Sequence, residues 1–287
     1  MNHFTLATPI TLLSSAGPKQ RNLWQKEIPK QARSNALLMH GLLSVSALHL
    51  ARSDPVESAT YQLRALHHHN LGLQLFNDQI GTLCSDNSHI LFAFAFMLAI
   101  WAYASPSYST GTLQLDEVLH LLELIRGGKE LFVLHRDSIL DRPIGNFIQF
   151  QQQSRLPELP PLAQKSMREL RRVATDEVHI AAIDRLESFV KSSVERPDAA
   201  KFAMAWPATV EDEFWERLKS HEPVSVLIFM HYALILQLFE DEWWWVEGWS
   251  ARVFVAAETS VSASDRKALG WDHFTTLIQS CRVVLPE

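Results

Sequence analysis

The sequence predicts an all-α protein, a single multi-helix domain of about ten to twelve helices around one buried central helix. The first observation behind this is negative: no segment of the 287 residues sustains the apolar–polar alternation of a half-buried strand. The second is the stretch from Pro223 to Trp249, which contains the most apolar helical segment of the chain. The third is a series of shorter segments whose apolar residues recur at spacings of three and four.

The central helix is predicted from Val224 to Phe239. Proline is tolerated in a first turn, and no helix breaker follows before Gly248. The strongly polar side chains Ser225, His231 and Gln237 point about 120° apart, so the helix has no polar face. Its length, about 24 Å at ~1.5 Å per residue, is short of the ~30 Å hydrocarbon core of a bilayer. We therefore expect a buried core helix rather than a membrane span.

The first strong helix is predicted from Ser34 to Arg52, with Ser34 or Asn35 as its N-cap. Small residues follow one side of it, where a second helix can approach closely: Gly41, Ser44, Ala47 and Ala51.

The next helix is predicted from Val56 to about Gly81 and contains three consecutive histidines, residues 67–69. Adjacent helical positions diverge by about 100°, so these three rings cannot chelate one ion. We expect core, capping or surface histidines and no metal site.

A helix from Ile90 to Ala104 is apolar nearly all round. Phe92, Phe94, Phe96, Met97 and Trp101 make it rich in the side chains that line apolar cavities, although plain core packing explains them as well.

The remaining chain also divides into helices. We predict helices at 116–125 and 129–140 with a break at Gly127-Gly128, and a linker at 151–161 that separates an N-terminal half, 1–150, from a C-terminal half, 162–287. Beyond the linker, helices are predicted at 162–174, 176–195, 211–220, 244–258 and 264–282, with a corner at Trp206-Pro207.

The composition of the chain argues against several classes of protein. The net charge of −6 argues against non-specific binding of nucleic acid, and two cysteines are too few for a disulfide scaffold or a cysteine-based zinc module. The N-terminus lacks the pattern of a signal peptide, so we expect the nucleus or the cytoplasm.

No catalytic residue, metal site or cofactor is predicted. The sequence has no glycine-rich phosphate loop, serine elbow or metalloprotease histidine pair. Two acidic groups, Asp116-Glu117 with Glu123 and Glu240-Asp241-Glu242 with Glu247, lack the spacing of a magnesium–diphosphate site. Helix caps and solvated turns explain both groups.

Six fragments occur in an order that is typical of one family. They are residues 38–51; Tyr61, Ala65, His68 and Phe76; Asn87 with Phe92-Ala93-Phe94; residues 121–127; Trp206-Pro207, Phe214 and Pro223; and His231-Tyr232-Ala233 followed by Trp244-Trp245 and Gly248-Trp249. Together they make the chain similar to the regulatory domain of fungal zinc-cluster transcription factors of the sterol-uptake-control type.

This resemblance implies an all-helical, often dimeric effector domain whose apolar pocket binds a sterol or another lipid and controls transcription. The family reads DNA through an upstream six-cysteine zinc cluster, which this sequence lacks. We therefore expect either an excised part of a longer protein or a stand-alone protein that keeps only the regulatory half. We expect no direct DNA binding by this chain, no membrane span, and a hydrophobic small molecule and a second copy of the chain as partners.

Two other functions stay open. One is an enzyme of fungal secondary metabolism that uses the same helical cavity for a lipophilic substrate, and the other is an interaction domain without a ligand.

The predicted pocket lies between the 90–104 helix and the central helix, closed at one end by tryptophans. His231 and Tyr232 are its main polar groups, suited to one ligand hydroxyl. The predicted lining is Phe92, Phe96, Met97, Trp101, Phe229, His231, Tyr232 and Trp245.

Overall fold

A computed structural model describes residues 21–105, 111–145, 161–174, 176–195, 205–237, 239–241 and 243–281. Within these ranges the chain is helical and contains no β-strand, which confirms the all-α fold class. The predicted linker lies outside the described residues except for Pro161, which begins a helix.

The chain divides into two compact units, and neither is continuous in sequence. The first comprises residues 1–109, 124–151 and 242–245, and the second comprises residues 110–123, 152–241 and 246–287.

The first unit is built mainly from three long helices. Their N-terminal neighbour is a short π-helix, Leu23–Glu27, followed by α1 (Ile28–Ala32), α2 (Ala36–Ser53), α3 (Ser58–Ile80) and α4 (Ser88–Ala104). Two further helices follow, α5 (Leu115–Leu134), of which residues 124–134 belong to this unit, and α6 (Arg136–Leu140). The predicted cap is confirmed, because the Asn35 side chain accepts a hydrogen bond from the backbone N–H of Leu38 at 3.0 Å.

Helices α2, α3 and α4 approach one another closely at two glycines. A Cβ atom added to Gly41 would lie 2.6 Å from Cε of Met97 and 3.0 Å from Cδ2 of Phe94. One added to Gly72 would lie 2.7 Å from two ring carbons of Phe94. The Ser44 hydroxyl also donates to the carbonyl oxygen of Ala65 at 3.1 Å, joining α2 to α3. The predicted close approach along the small-residue side of α2 is therefore confirmed.

The second unit is organised around the predicted central helix. Its helices are α7 (Pro161–Val173), α8 (Glu177–Glu195), α9 (Trp206–Thr209), α10 (Asp212–Lys219), α11 (Pro223–Gln237), α12 (Trp249–Ser260), α13 (Ala263–Leu269) and α14 (Trp271–Cys281). Every residue of α11 from Val224 to Leu236 is buried, and α11 packs against α8, α10, α12 and α14. A helix without a polar face thus becomes the core of this unit.

A hydrogen-bond network fixes the start of α11. The Glu222 carboxylate accepts from the backbone N–H groups of Ser225 at 2.7 Å and Val224 at 3.3 Å. Nε2 of the buried His179 lies 3.2 Å from Glu222 Oε2 and 3.1 Å from Ser225 Oγ. Burial raises the pKa of Glu222, but the hydrogen bonds to His179 and Ser225 outweigh it and lower that pKa to about 2. The carboxylate is therefore ionised and caps the helix.

Two predicted helix boundaries are wrong, and both involve glycine. Helix α5 runs unbroken through Gly127-Gly128 and ends only at Leu134. Glycine costs a helix about 1 kcal/mol, which the burial of Leu119, Leu122 and Leu131 on the same helix offsets. In contrast Gly270, with a left-handed φ of 68°, divides the predicted 264–282 helix into α13 and α14.

The tryptophan-rich segment is a third correction. Residues 244–248 form turns rather than the first part of a helix, and α12 begins only at Trp249. Gly248 precedes it with a left-handed φ of 75°, a conformation that interrupts any helix running through it.

None of the helices in the described ranges is both long enough and apolar enough to cross a membrane.

Candidate functional site

A small cavity lies inside the first unit, where α2, α3 and α4 meet. Seven residues line it: Gly41, Ser44, His69, Phe94, Met97, Leu98 and Trp101. Its empty volume is about 170 Å³, counting the part that is open to solvent. Pockets for drug-sized ligands have volumes of about 300–1,000 Å³. Its enclosed part has room for about one water molecule, so any organic ligand requires side chains to move.

Met97 is the side chain that can enlarge the cavity most readily. Its thioether occupies the space that a side chain at Gly41 would fill, with Sδ at 2.9 Å and Cε at 2.6 Å from an added Cβ. Methionine has three rotatable side-chain bonds and adapts its shape easily. Rotation of Met97 would open the space beside Gly41.

His69 and Trp101 form an aromatic pair in the cavity wall. Their ring centroids are 3.7 Å apart and the ring planes are 11° apart, so the rings are stacked. Only 6% of His69 is exposed, and burial lowers the pKa of His69 to about 4. The imidazole is therefore neutral at physiological pH, with one N–H donor and one acceptor nitrogen.

Met97 and Trp101 are the two predicted pocket residues that line this cavity. Three other predicted residues lie elsewhere in the first unit: Phe92 packs beside Phe132, Phe96 beside Trp24, and Trp245 beside Tyr103. The corresponding centroid distances are 5.7, 5.1 and 5.6 Å.

The remaining predicted residues belong to α11 in the second unit. Phe229 and Tyr232 pack against Trp206, with centroids 6.4 and 5.2 Å from the indole. A pocket that draws on both α4 and α11 stays a prediction.

His231 is fully buried and both of its ring nitrogens have protein partners. Nδ1 donates to the carbonyl oxygen of Leu227 at 2.8 Å, so neutral Nε2 accepts from the hydroxyl of Ser166 at 3.0 Å. Burial lowers the pKa of His231 to about 4, and the bond to Leu227 opposes this shift. A ligand hydroxyl at His231 would have to replace Ser166.

Five of the seven lining residues are not in the predicted pocket: Gly41, Ser44, His69, Phe94 and Leu98. From the sequence, Gly41 and Ser44 are predicted only as packing residues. A signal for His69 exists, because Ala65, His69 and Gly72 recur at spacings of four and three and all three are buried. The helical period therefore points His69 inward, whereas His67 is exposed.

The other two histidines of the triplet have different environments. His68 on α3 faces His40 on α2, with the two Nδ1 atoms 3.0 Å apart. Burial, and then the charge of neighbouring histidines, lowers the pKa of both His40 and His68. Within the described residues no group of three or more histidine, cysteine, aspartate or glutamate side chains is placed to hold a metal ion.

The acidic groups have structural partners where they are described. Asp116 accepts from Nε2 of His221 at 2.7 Å, and Glu117 accepts from the backbone N–H of Gln114 at 2.7 Å. Glu240 accepts from the backbone N–H of Ser250 at 2.5 Å. These carboxylates accept hydrogen bonds from a histidine ring and from backbone N–H groups.

The cavity lies in the part of the chain that matches a known family. Residues 1–155, more than half of the chain, match the model described as "Fungal specific transcription factor domain". The chain belongs to this family. The match confirms the resemblance that the motif order indicates, and the cavity-lining residues all fall within it.

Two curated relatives are similar over shorter stretches. The "Sterol uptake control protein 2" of Candida albicans is 31% identical over 112 residues, which are 39% of this chain and 15% of the relative. The "Zn(2)-C6 fungal-type transcription factor afumD" of Aspergillus fumigatus is 24% identical over 138 residues, 46% of this chain and 35% of the relative. The matches thus span well under half the length of either relative.

Proposed function

We propose that this chain is a ligand-responsive regulatory domain that binds a hydrophobic small molecule, such as a sterol or another lipid-like compound, beside Gly41, Met97 and Trp101. The observation that carries the proposal is the cavity itself. It is formed by three helices of the family-matched segment, and its walls are apolar apart from Ser44, His69 and the indole of Trp101.

Two features support a ligand at this place rather than plain core packing. First, a Cβ atom added to Gly41 would lie within 3.0 Å of Met97 and Phe94, yet an empty volume remains beside these residues. Second, the occupant of the space beside Gly41 is the flexible Met97, which a ligand can displace without breaking a hydrogen bond. The name of the Candida relative, a sterol uptake control protein, agrees with a lipid-like ligand.

Regulation follows from the position of the cavity. A ligand that displaces Met97 changes how α4 packs on α2, and so binds one arrangement of these helices better than another. We propose that this shift is read by the transcription machinery, in the nucleus or on the way to it, and that the active species is a homodimer.

Equilibrium dialysis with three probes of different size tests the proposal: cholesterol, oleic acid and borneol. We expect at least one to bind with a micromolar Kd. Met97→Phe, which replaces the flexible thioether by a rigid ring, should weaken that binding at least tenfold. Met230→Phe is the matched control, because Met230 is equally buried but belongs to the second unit.

The proposal fails if none of the three probes binds the wild-type chain up to its solubility limit. It also fails if Met97→Phe, shown to be folded by circular dichroism, binds the probe as tightly as Met230→Phe does.

A further inference from the structure

We propose that two copies of this chain associate through one exposed side of α3, with the two helices packed parallel as a short coiled coil. This inference rests on the proposed function for the homodimer, and it adds the contact surface, the relative direction of the two helices and the residues that fix that direction. We call this surface the α3 seam and define it by six residues: Leu63, Leu66, Asn70, Leu73, Asn77 and Ile80.

The first step is the spacing of the α3 seam. Its residues are separated alternately by three and four positions, which is the spacing of the a and d positions of a coiled coil. At ~100° per residue the α3 seam lies about 100° around the helix axis from the face that buries Ala65 and Gly72. The a positions are one leucine and two asparagines, and the d positions are apolar throughout: Leu66, Leu73 and Ile80.

The second step is the exposure of these residues. Leu63 is 70% exposed, Leu66 is 45% exposed and Ile80 is 39% exposed, and both asparagines are exposed as well. The apolar row extends for about 26 Å at ~1.5 Å per residue. Because α3 is already folded against α2, a partner would not have to supply the free energy of forming this helix. A preformed helix with an exposed apolar row is typical of a surface that contacts another protein.

The third step identifies the partner as a second copy of the chain. An asparagine amide contains both a donor and an acceptor, so it can pair with the same asparagine of an identical copy. Between Ser58 and Ile80 the only charged residues are Arg64 and Asp78, and both take b positions, outside the seam and its flanks. Two copies can therefore meet here without bringing like charges together, although each copy has a net charge of −6.

The fourth step selects the parallel direction. In a parallel pair each a residue faces the same a residue of the other copy, so Asn70 faces Asn70 and Asn77 faces Asn77. In an antiparallel pair each a residue faces a d residue, and each asparagine would then be buried against leucine or isoleucine. An unpaired buried amide weakens association by about tenfold, so the two asparagines together favour the parallel pair by roughly a hundredfold.

Sedimentation equilibrium over a range of protein concentrations tests the surface. The α3 seam is shorter than the three to four heptads of a free coiled coil, so we expect a reversible dimer with a Kd of about 10–100 µM. Leu63→Gln should raise this Kd at least tenfold. Leu134→Gln is the matched control and should leave the Kd unchanged, because Leu134 is 72% exposed and lies in the same unit but outside the seam.

Crosslinking through Cys84 tests the direction. Cys84 is exposed and follows Ile80 by four residues. In a parallel pair the two Cys84 side chains lie at the same end of helices about 8–10 Å apart, whereas in an antiparallel pair they lie more than about 30 Å apart. A short bismaleimide reagent should therefore link two copies of Cys281→Ser and none of the double variant Cys84→Ser/Cys281→Ser.

The asparagines have an effect that a purely structural role would not produce. Asn70→Leu combined with Asn77→Leu should tighten association at least tenfold, because apolar a positions bind more strongly. The same variant should give a smaller crosslinked fraction, since nothing then disfavours the antiparallel pair. Unchanged or weaker association would overturn the pairing of the asparagines.

The outcomes separate this inference from the rest of the proposed function. If the wild-type chain stays monomeric at submillimolar concentration, the α3 seam and the homodimer are both wrong, while the ligand binding measured by dialysis is unaffected. If the chain dimerises and Leu63→Gln has the same Kd as Leu134→Gln, the homodimer stands and the α3 seam is overturned. If Leu63→Gln weakens the dimer but Cys84 does not crosslink, the parallel direction is overturned.

Discussion

Replacing Gly72 by alanine should destabilise the protein, although alanine is the better helix former. The added Cβ would lie 2.7 Å from Cε2 and Cζ of Phe94, a contact that real side chains do not make. An aromatic ring between two helices cannot yield as a flexible chain end can. Overpacking of this kind costs about 1–3 kcal/mol, whereas glycine-to-alanine in a helix gains about 0.5–1 kcal/mol.

Gly127→Ala is the control, because it gains the same helix propensity as Gly72→Ala but adds no close contact. Gly127 also lies inside a long helix, but nothing lies within 4 Å of an added Cβ. We expect this variant to be more stable than the wild type by about 0.5–1 kcal/mol. The two variants should then differ by about 2 kcal/mol, or roughly 4–8 °C in Tm.

Differential scanning calorimetry of the two variants and the wild type measures this difference. If Gly72→Ala raises Tm as much as Gly127→Ala does, the close approach of α3 and α4 at Phe94 is not rigid, and the packing argument is wrong.

Three further predictions concern other parts of the chain. Gly41→Leu should lower the Tm, because its branched side chain must displace both Met97 and Phe94; an unchanged Tm would contradict this. Stability should fall as pH falls from about 6.5 to about 4, since unfolded His231 binds a proton at a pH where the buried ring, with a pKa of about 4, does not. That difference is on the order of 3 kcal/mol, and urea unfolding of His231→Leu should show a shallower pH dependence than the wild type. Finally, the chain with its net charge of −6 should bind duplex DNA no better than an acidic control protein, and nanomolar, sequence-specific binding in a gel-shift assay would contradict this.

The sequence predicts the core of the second unit well, because the signal is local. The absence of a polar face on α11 already requires burial on all sides, and Val224 to Leu236 are all buried. What holds Phe229 and Tyr232 in place is less visible, since their stacking partner Trp206 precedes them in a separate one-turn helix.

The glycines show where local reading fails. By composition Gly127-Gly128 and Gly270 are equally strong helix breakers. Helix α5 nevertheless continues through Gly127-Gly128, whereas α13 ends just before Gly270. The difference lies in the apolar residues that each helix buries, which pattern reading underweighted. The sequence predicts helices at both places. Whether glycine interrupts a helix depends on the apolar residues that the helix buries, and these are known only from the packing.

The cavity was predicted only in part for a related reason. Met97 and Trp101 are predictable from the sequence because α4 is aromatic and apolar, which is a property of one segment. Their neighbours Gly41 and His69 come from α2 and α3, and only tertiary structure brings them together. The run of three histidines draws attention to chelation, whereas the inward direction of His69 is visible only from its spacing to Ala65 and Gly72.

Each of the two units is built from segments that are not contiguous in sequence, which limits where the chain can be truncated. Residues 242–245 belong to the first unit although they follow α11 in the chain, and there Trp244 lies beside His49 and Trp245 beside Tyr103. A polypeptide that stops at residue 155, the end of the family match, would lack both tryptophans and expose the surfaces that they cover. A truncation or gene fusion at residue 155 would leave neither unit complete. The segments before and after that residue are therefore both needed to form either unit.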